Sequence, residues 1–212
     1  MDGIKHHLTE ELLIGYAAGT LPEAFNLVVA SHVSMCDTCR AALESYESVG
    51  GAMLEEAGVT LAEGSLDLCL ARLDDEVGPI AARPAPGVLP QPLRDYVGGD
   101  VDAIRWRAVG GGVRQAILPT SKAASARLLF IPAGAAVPDH GHRGTELTMV
   151  LQGAFADETD RFGRGDVEVA NEDLEHQPIA EAGADCICLA ATDAPLRFRS
   201  LLPRLAQPFL KI

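Results

Sequence analysis

Apolar residues recur at helical spacing along the first 76 positions and, beyond a proline-rich break, at strand spacing. Thr9 is placed to cap a first helix, with Glu10 and Glu11 in its opening turn, where the helix dipole favours acids. Leu12, Leu13, Tyr16 and Ala17 follow at helical intervals, and Gly19 ends the run. Thr20 is expected to cap a second helix, with Pro22 in its first turn and Phe25, Val28, Val29 and His32 on one face. A third helix is predicted from about Asp37 to Glu56, striped by Leu43, Tyr46, Val49 and Met53. A fourth runs from its cap Ser65 to Glu76, with Leu66, Cys69, Leu70 and Leu73 on one face. That face fits either docking on a partner or packing on the other three helices.

Residues 77–92 hold five prolines and two glycines, which excludes a helix interior or a central strand and reads as a semi-rigid linker. After it come short apolar runs punctuated by Gly and Pro: Arg127–Ile131, Glu146–Leu151, Gly165–Val169, Asp185–Leu189 and Leu196–Arg199. Many short strands of this kind predict a sandwich or barrel, with Trp106 and Phe130 in its core. The expected organisation is α+β in two domains: a small four-helix bundle at 1–76, a linker at 77–92 and an all-β barrel at 93–212.

Charge sharpens this division. Residues 1–85 carry a net −10 of the chain's −13. Such a surface repels nucleic-acid phosphates and attracts a basic protein face, including one that otherwise binds DNA. No run approaches the ~20 apolar residues of a membrane helix, and no apolar segment follows the N-terminal Lys5-His6-His7 as in a signal peptide, so a cytoplasmic protein is expected. Five cysteines in that compartment argue for thiols or metal ligands before disulfides.

His32-x3-Cys36-x2-Cys39 places an imidazole and a thiol four apart on a helix, and a second thiol one turn on. Zinc takes such tetrahedral N and S ligands, and His6 or His7 can supply the fourth. A helical domain this small has little core, and a structural zinc contributes on the order of 10 kcal/mol to folding. In the second half, His140 and His142 share strand parity with Glu146, and His176 follows the next glycine-led strand. Three imidazoles and a carboxylate inside a barrel suit zinc or another divalent metal. Cys186 and Cys188 read as small core residues before a redox pair, and Cys69 as core or partner-facing.

Gly134-x5-His140-x-His142-x3-Glu146-x6-Gly153 resembles the first cupin motif at every fixed position, and Gly165 to His176 is similar to the second. The His32, Cys36, Cys39 set with an upstream histidine resembles the zinc-binding anti-sigma domain. Joined by a proline-rich linker, the two resemble the ChrR-type anti-sigma factors of proteobacteria over essentially the whole chain. That resemblance implies His7 rather than His6 as fourth zinc ligand. It implies a cupin barrel (double-stranded β-helix) with a metal on His140, His142, Glu146 and His176. It also implies a non-enzymatic role: an extracytoplasmic-function sigma factor held by the helical domain, with the cupin needed for release under singlet-oxygen stress. The alternative is a metal-dependent cupin dioxygenase with a regulatory helical domain.

Overall fold

The computed structural model describes residues 3–74 and 87–198. Most of the expected linker, the end of the fourth helix and the tail after Phe198 lie outside the described residues.

The first helix, α1 (Glu10–Ala17), starts where Thr9 accepts the Leu12 amide at 3.4 Å and stops at Gly19, in the left-handed region at φ +66°. Thr20 does not cap the next helix. Its hydroxyl donates to the Gly15 carbonyl at 3.2 Å, finishing α1, and α2 (Glu23–Val33) begins after Pro22, two residues too late for Thr20 to reach. The helix α3 (Asp37–Glu56) is capped by a cysteine: Cys36 Sγ accepts the Cys39 amide at 3.5 Å. Ser65 is the first residue of α4 (Ser65–Ala71) rather than its cap, which is Gly64, and a 3-10 turn, Arg72–Asp74, follows. No residue of α4 is buried, so the reading in which it packs on the other helices fails. Cys69 is exposed with it. Gln91 and Pro92, expected to end the linker, open α5 (Gln91–Val97), since proline suits a first helical turn.

After α5 and a 3-10 turn at Val101–Ala103, the described chain from Arg107 on is built of β-strands. In chain order its strands are β1 (Arg107–Gly110), β2 (Val113–Leu118), β3 (Ser125–Ile131), β4 (His140–Gly141), β5 (Glu146–Gln152) and β6 (Ala154–Ala156). Then come β7 (Arg161–Gly163), β8 (Val167–Ala170), β9 (Glu175–His176), β10 (Ile179–Ala180), β11 (Cys186–Thr192) and β12 (Arg197–Phe198). A six-stranded antiparallel sheet, β1-β2-β3-β11-β5-β8, faces two three-stranded sheets, β10-β6-β7 and β12-β4-β9. This is a cupin-like β-sandwich.

Both faces of the large sheet are covered, which is why its strands read as near-continuous apolar runs. Arg127, Leu129, Cys188, Glu146 and Thr148 face the interior. Leu128, Leu147, Met149 and Leu189 face the other way, into one core with Phe25, Val28 and Val29 of α2. Helix α2 buries seven of its eleven residues because α1 and α3 cover one side and the sheet the other. Trp106 and Phe130 are not in the barrel core. Phe130 has the outward parity, and both rings are half-buried outside, with the Arg114 guanidinium 3.8 Å from the centre of the Phe130 ring. Cys186 and Cys188 are buried and unbridged, with sulfurs 3.5 Å apart.

The N-terminal segment also pairs with the turn before β8. Asp166 Oδ1 accepts the Lys5 and His6 amides at 2.6 and 2.9 Å, and the Val167 amide donates to the His6 carbonyl at 3.2 Å. Gly165 permits this approach: its φ is +91°, and a Cβ there would lie 2.6 Å from Ile4 Cδ1. Gly165→Ala is therefore expected to cost about 1–3 kcal/mol of stability and to expose the junction of the two halves. Denaturant melts and limited proteolysis of the variant check this; wild-type values for both would contradict it.

Candidate metal centres

The helices and the N-terminal segment bring His7, His32, Cys36 and Cys39 together, with one ligand atom from each within 4.8 Å of the others. His32 comes from the last turn of α2, Cys36 from the cap of α3 and Cys39 from its first turn. His7 arrives on the segment pinned to Asp166. Its Nδ1 lies 3.3 Å from Cys36 Sγ and 3.6 Å from Cys39 Sγ, while His32 Nε2 lies 3.3 Å from Cys39 Sγ. In a tetrahedral zinc site a nitrogen and a sulfur ligand stand about 3.5 Å apart, so the donor set fits the ion. His6, the other candidate, turns away to the Arg161 carbonyl at 3.2 Å and lies tilted against the Phe162 ring.

The electrostatics suit a metal. Burial pulls the His32 imidazole down to about 4, so it is neutral at physiological pH. Burial pushes the Cys39 thiol up to about 11, so an ion must displace its proton to bind thiolate. His32 Nδ1 meets the Gly165 carbonyl at 2.9 Å. That contact fixes the ring with Nε2 toward the sulfurs, as the outer partner of a metal-bound histidine does. The partner belongs to the barrel, not to the helices.

In the barrel, β4 supplies His140, the loop after it His142, and β9 His176, and these three imidazoles form a second group within 4.8 Å. His142 Nε2 and His176 Nε2 face each other at 3.3 Å, the separation of two nitrogens on a tetrahedral ion of about 2.0–2.1 Å bond length. His142 Nδ1 is buried with no hydrogen-bond partner among the described residues. The expected fourth ligand, Glu146, lies on the same wall, 3.8 Å from His142 Nδ1 and accepting from Thr148 Oγ1 at 3.0 Å. It falls outside the tight group of three imidazoles. Burial holds His140 and His142 below the ordinary histidine value, against the pull of Glu146.

Two acids that the sequence reading passed over complete this centre. Asp157, in the turn after β6, and Glu168, in β8, both meet His176 Nδ1, at 2.7 and 3.1 Å. Burial works against charge on His176, but the two carboxylates outweigh it and raise the imidazole to about 9. Burial likewise lifts Glu168 to about 7, whereas Asp157 is held well below the carboxylate range by hydrogen bonds from Thr159, Glu168 and His176 that outweigh its burial. The pair clamps the Nδ1 side of His176 and leaves Nε2 facing His142.

The chain has known relatives. A family model described as the ChrR cupin-like domain matches residues 95–194. The anti-sigma-E factor ChrR of Cereibacter sphaeroides is 62% identical over 211 residues, covering 99% of each chain. The crystal structure of Rhodobacter sphaeroides SigE in complex with the anti-sigma ChrR contains a chain 60% identical to this one. That match covers 90% of this chain and 99% of the other, with a TM-score of 0.77.

Two outcomes follow from the geometry. Binding must displace a proton from Cys39, raised to about 11, and from His176, raised to about 9. Apparent zinc affinity at both sites should therefore rise between pH 6 and 8, about tenfold per unit for each displaced proton. Competition with a chromophoric chelator measures it; a flat profile would contradict the assignment. Asp157→Asn should weaken the barrel site by about 10–100-fold while leaving one metal equivalent on the helical site, read by metal analysis after graded chelation.

Proposed function

The chain belongs to the ChrR family of anti-sigma factors, and from that premise we propose that it sequesters an extracytoplasmic-function sigma factor through its helical domain. The observation that carries the reading is the apolar surface the helices leave in water. Leu66, Leu68, Leu70 and Leu73 around α4 are 51–75% exposed, and Val49, Met53 and Leu54 at the end of α3 are 63–75% exposed. Apolar surface on this scale marks a partner site. Amphipathic helices dock by inserting such residues into a groove. The net charge of −10 in the first 85 residues complements a basic face of a sigma factor and opposes direct binding to nucleic acid.

In this reading, zinc on His7, His32, Cys36 and Cys39 staples α1, α2 and α3 into a fixed presenting surface. His140, His142, Glu146 and His176 hold zinc or another divalent ion in the barrel. Sequestration is mass action by a tight heterodimer, with no chemistry done on the sigma factor. The barrel is needed for release under singlet-oxygen stress, and the packing of α2 on the large sheet supports a path for it. Residues 1–76 act as the sigma-binding unit, 77–90 as linker and the chain from Gln91, where α5 opens, as the cupin. No described helix is long and apolar enough to cross a membrane, which accords with action in the cytoplasm, where sigma factors work.

A cavity beside three imidazoles also favours a second reading, a dioxygenase-like enzyme under helical control. Redox-active iron and oxygen uptake would support it, and redox-inert zinc without turnover supports the regulator.

Leu70→Asp with Leu73→Asp should weaken capture of the cognate sigma factor by at least about 100-fold, the scale of two lost interface anchors, with both metals retained. Cys36→Ser should abolish both the N-terminal metal and the complex. Co-purification and calorimetry decide. Wild-type affinity in the leucine variant would contradict the docking surface, and in Cys36→Ser it would contradict the zinc staple.

A further inference from the structure

The barrel interior is not filled. A cavity of about 570 Å³ lies between the large sheet and the two smaller ones. It meets solvent beside the β1–β2 turn, where Gly110 and Gly111 line it and are exposed. Val109, Val113, Leu129, Ile131, Val137 and Phe155 make most of its wall. Strand register sets Arg127, Ala190, Thr148 and Glu168 side by side across β3, β11, β5 and β8, making one polar end.

The groups at the polar end are engaged with one another. Arg127 donates to Gln115 Oε1 at 3.4 Å and to Ser125 Oγ at 3.5 Å. Burial works against its charge, and the Glu146 carboxylate offsets part of that cost. Thr148 donates to Glu146 at 3.0 Å, while Glu168 and Asp157 meet His176 Nδ1 at 3.1 and 2.7 Å. With a divalent ion on the imidazoles, two positive charges from the ion and one from Arg127 face three carboxylates, Glu146, Asp157 and Glu168. The end needs no further counter-ion. A charged ligand would lose its hydration there without meeting an excess of opposite charge. The apolar walls are the part left without partners. Water in that space finds few polar groups to hold it, and empty space beside hydrocarbon forfeits dispersion contacts. An apolar chain supplies those contacts. Thr148 Oγ1 lines the same space and keeps lone pairs for one hydroxyl donor.

We propose that the cavity binds a neutral molecule with an apolar chain and a single hydroxyl head, the class of a medium-chain alcohol, its chain along Leu129, Ile131 and Phe155. A cavity of this volume is in the ordinary range for small-molecule sites. The ligand would touch β3 and β11 on one face, while Leu128 and Leu189 on the opposite face of the same strands lie in the core shared with α2. The residues lining the cavity all belong to the barrel, apart from the exposed leucines of α4, so the site goes beyond the sigma-docking reading and is tested without a sigma factor.

The test is calorimetric titration of the full-length, zinc-loaded protein with 1-octanol, 1-heptanol and 1-hexanol, and with octanoate and octylammonium as charged heads on the same chain. Octanol should bind at one per chain, and each methylene removed should weaken binding about fourfold. Octanoate and octylammonium should both bind at least about tenfold more weakly than octanol. Leu129→Trp and Val109→Trp, which fill the apolar space from β3 and from the edge strand β1, should each abolish octanol binding with both metals and the wild-type melting temperature kept. Leu70→Asp with Leu73→Asp should leave it unchanged. No octanol binding, no dependence on chain length, or octanoate or octylammonium as tight as octanol would each overturn the proposal on the unaltered protein. Octanol binding that survives in a folded tryptophan variant, or that is lost in the α4 variant, would place the alcohol outside the cavity and overturn it as well.

Discussion

One imidazole joins the two halves of this molecule. The His32 ring turns Nε2 toward Cys39 at the helical metal site and Nδ1 toward the carbonyl of Gly165, in the turn that starts β8. The helices that carry the cysteines bury few side chains of their own, and α3 buries only Cys39 and Leu43. A metal held there would contribute on the order of 10 kcal/mol, a large addition to what α3 itself buries. Ring orientation then depends on a peptide oxygen from the barrel. The His7 segment is held from the same side, through Asp166 and the Val167 amide. Two of the four candidate ligands of the helical site are thus positioned by the C-terminal domain.

From that junction the structure runs without a break to the second centre. Gly165 leads into β8, β8 carries Glu168, and Glu168 meets the outer nitrogen of His176. The same large sheet has the metal-site wall and cavity on one face and α2 on the other. A change in the barrel, whether of its metal or its contents, therefore acts on strands that directly support the helices. A long linker alone would give no such route. Release driven from the cupin, as proposed, would need an element that both domains touch, and the sheet with its β8 turn is such an element among the described residues.

Much of this was legible from residue types and spacing. His32, Cys36 and Cys39 stand at chelating intervals, and His140, His142 and His176 follow a glycine-punctuated strand pattern, because metal chemistry restricts both residue and spacing. The start of α1 was readable because Thr9 caps it locally, whereas Thr20 and Ser65 had the same residue chemistry and do not cap their helices. What escaped was set by tertiary context. Glu168 sits between Val167 and Val169, and simple alternation would send it to solvent; the barrel interior is polar where β8 passes, beside Arg127 and Thr148, so Glu168 is buried and Val169 is 39% exposed. Asp157 lies in a loop with no periodicity to mark it. Phe130 read as core because it is aromatic in an apolar strand, yet its parity is outward. The exposed leucines of α4 were visible as a stripe, but only the packed structure separates a docking face from a core face. Gly165 stood out as a strand opener and not as the point where Ile4 and His32 meet the barrel.

The most direct measurement of the central claim is amide hydrogen exchange at Val167 in the full-length protein, with the helical zinc present and after its removal. Val167 donates to the His6 carbonyl, one residue from His7, and has no part in either metal's ligand set. If zinc holds the helical domain to the barrel through His7 and His32, stripping that ion should speed exchange at Val167 at least tenfold while amides in β3 and β11 stay protected. Unchanged protection at Val167 would mean that the halves are joined without the metal.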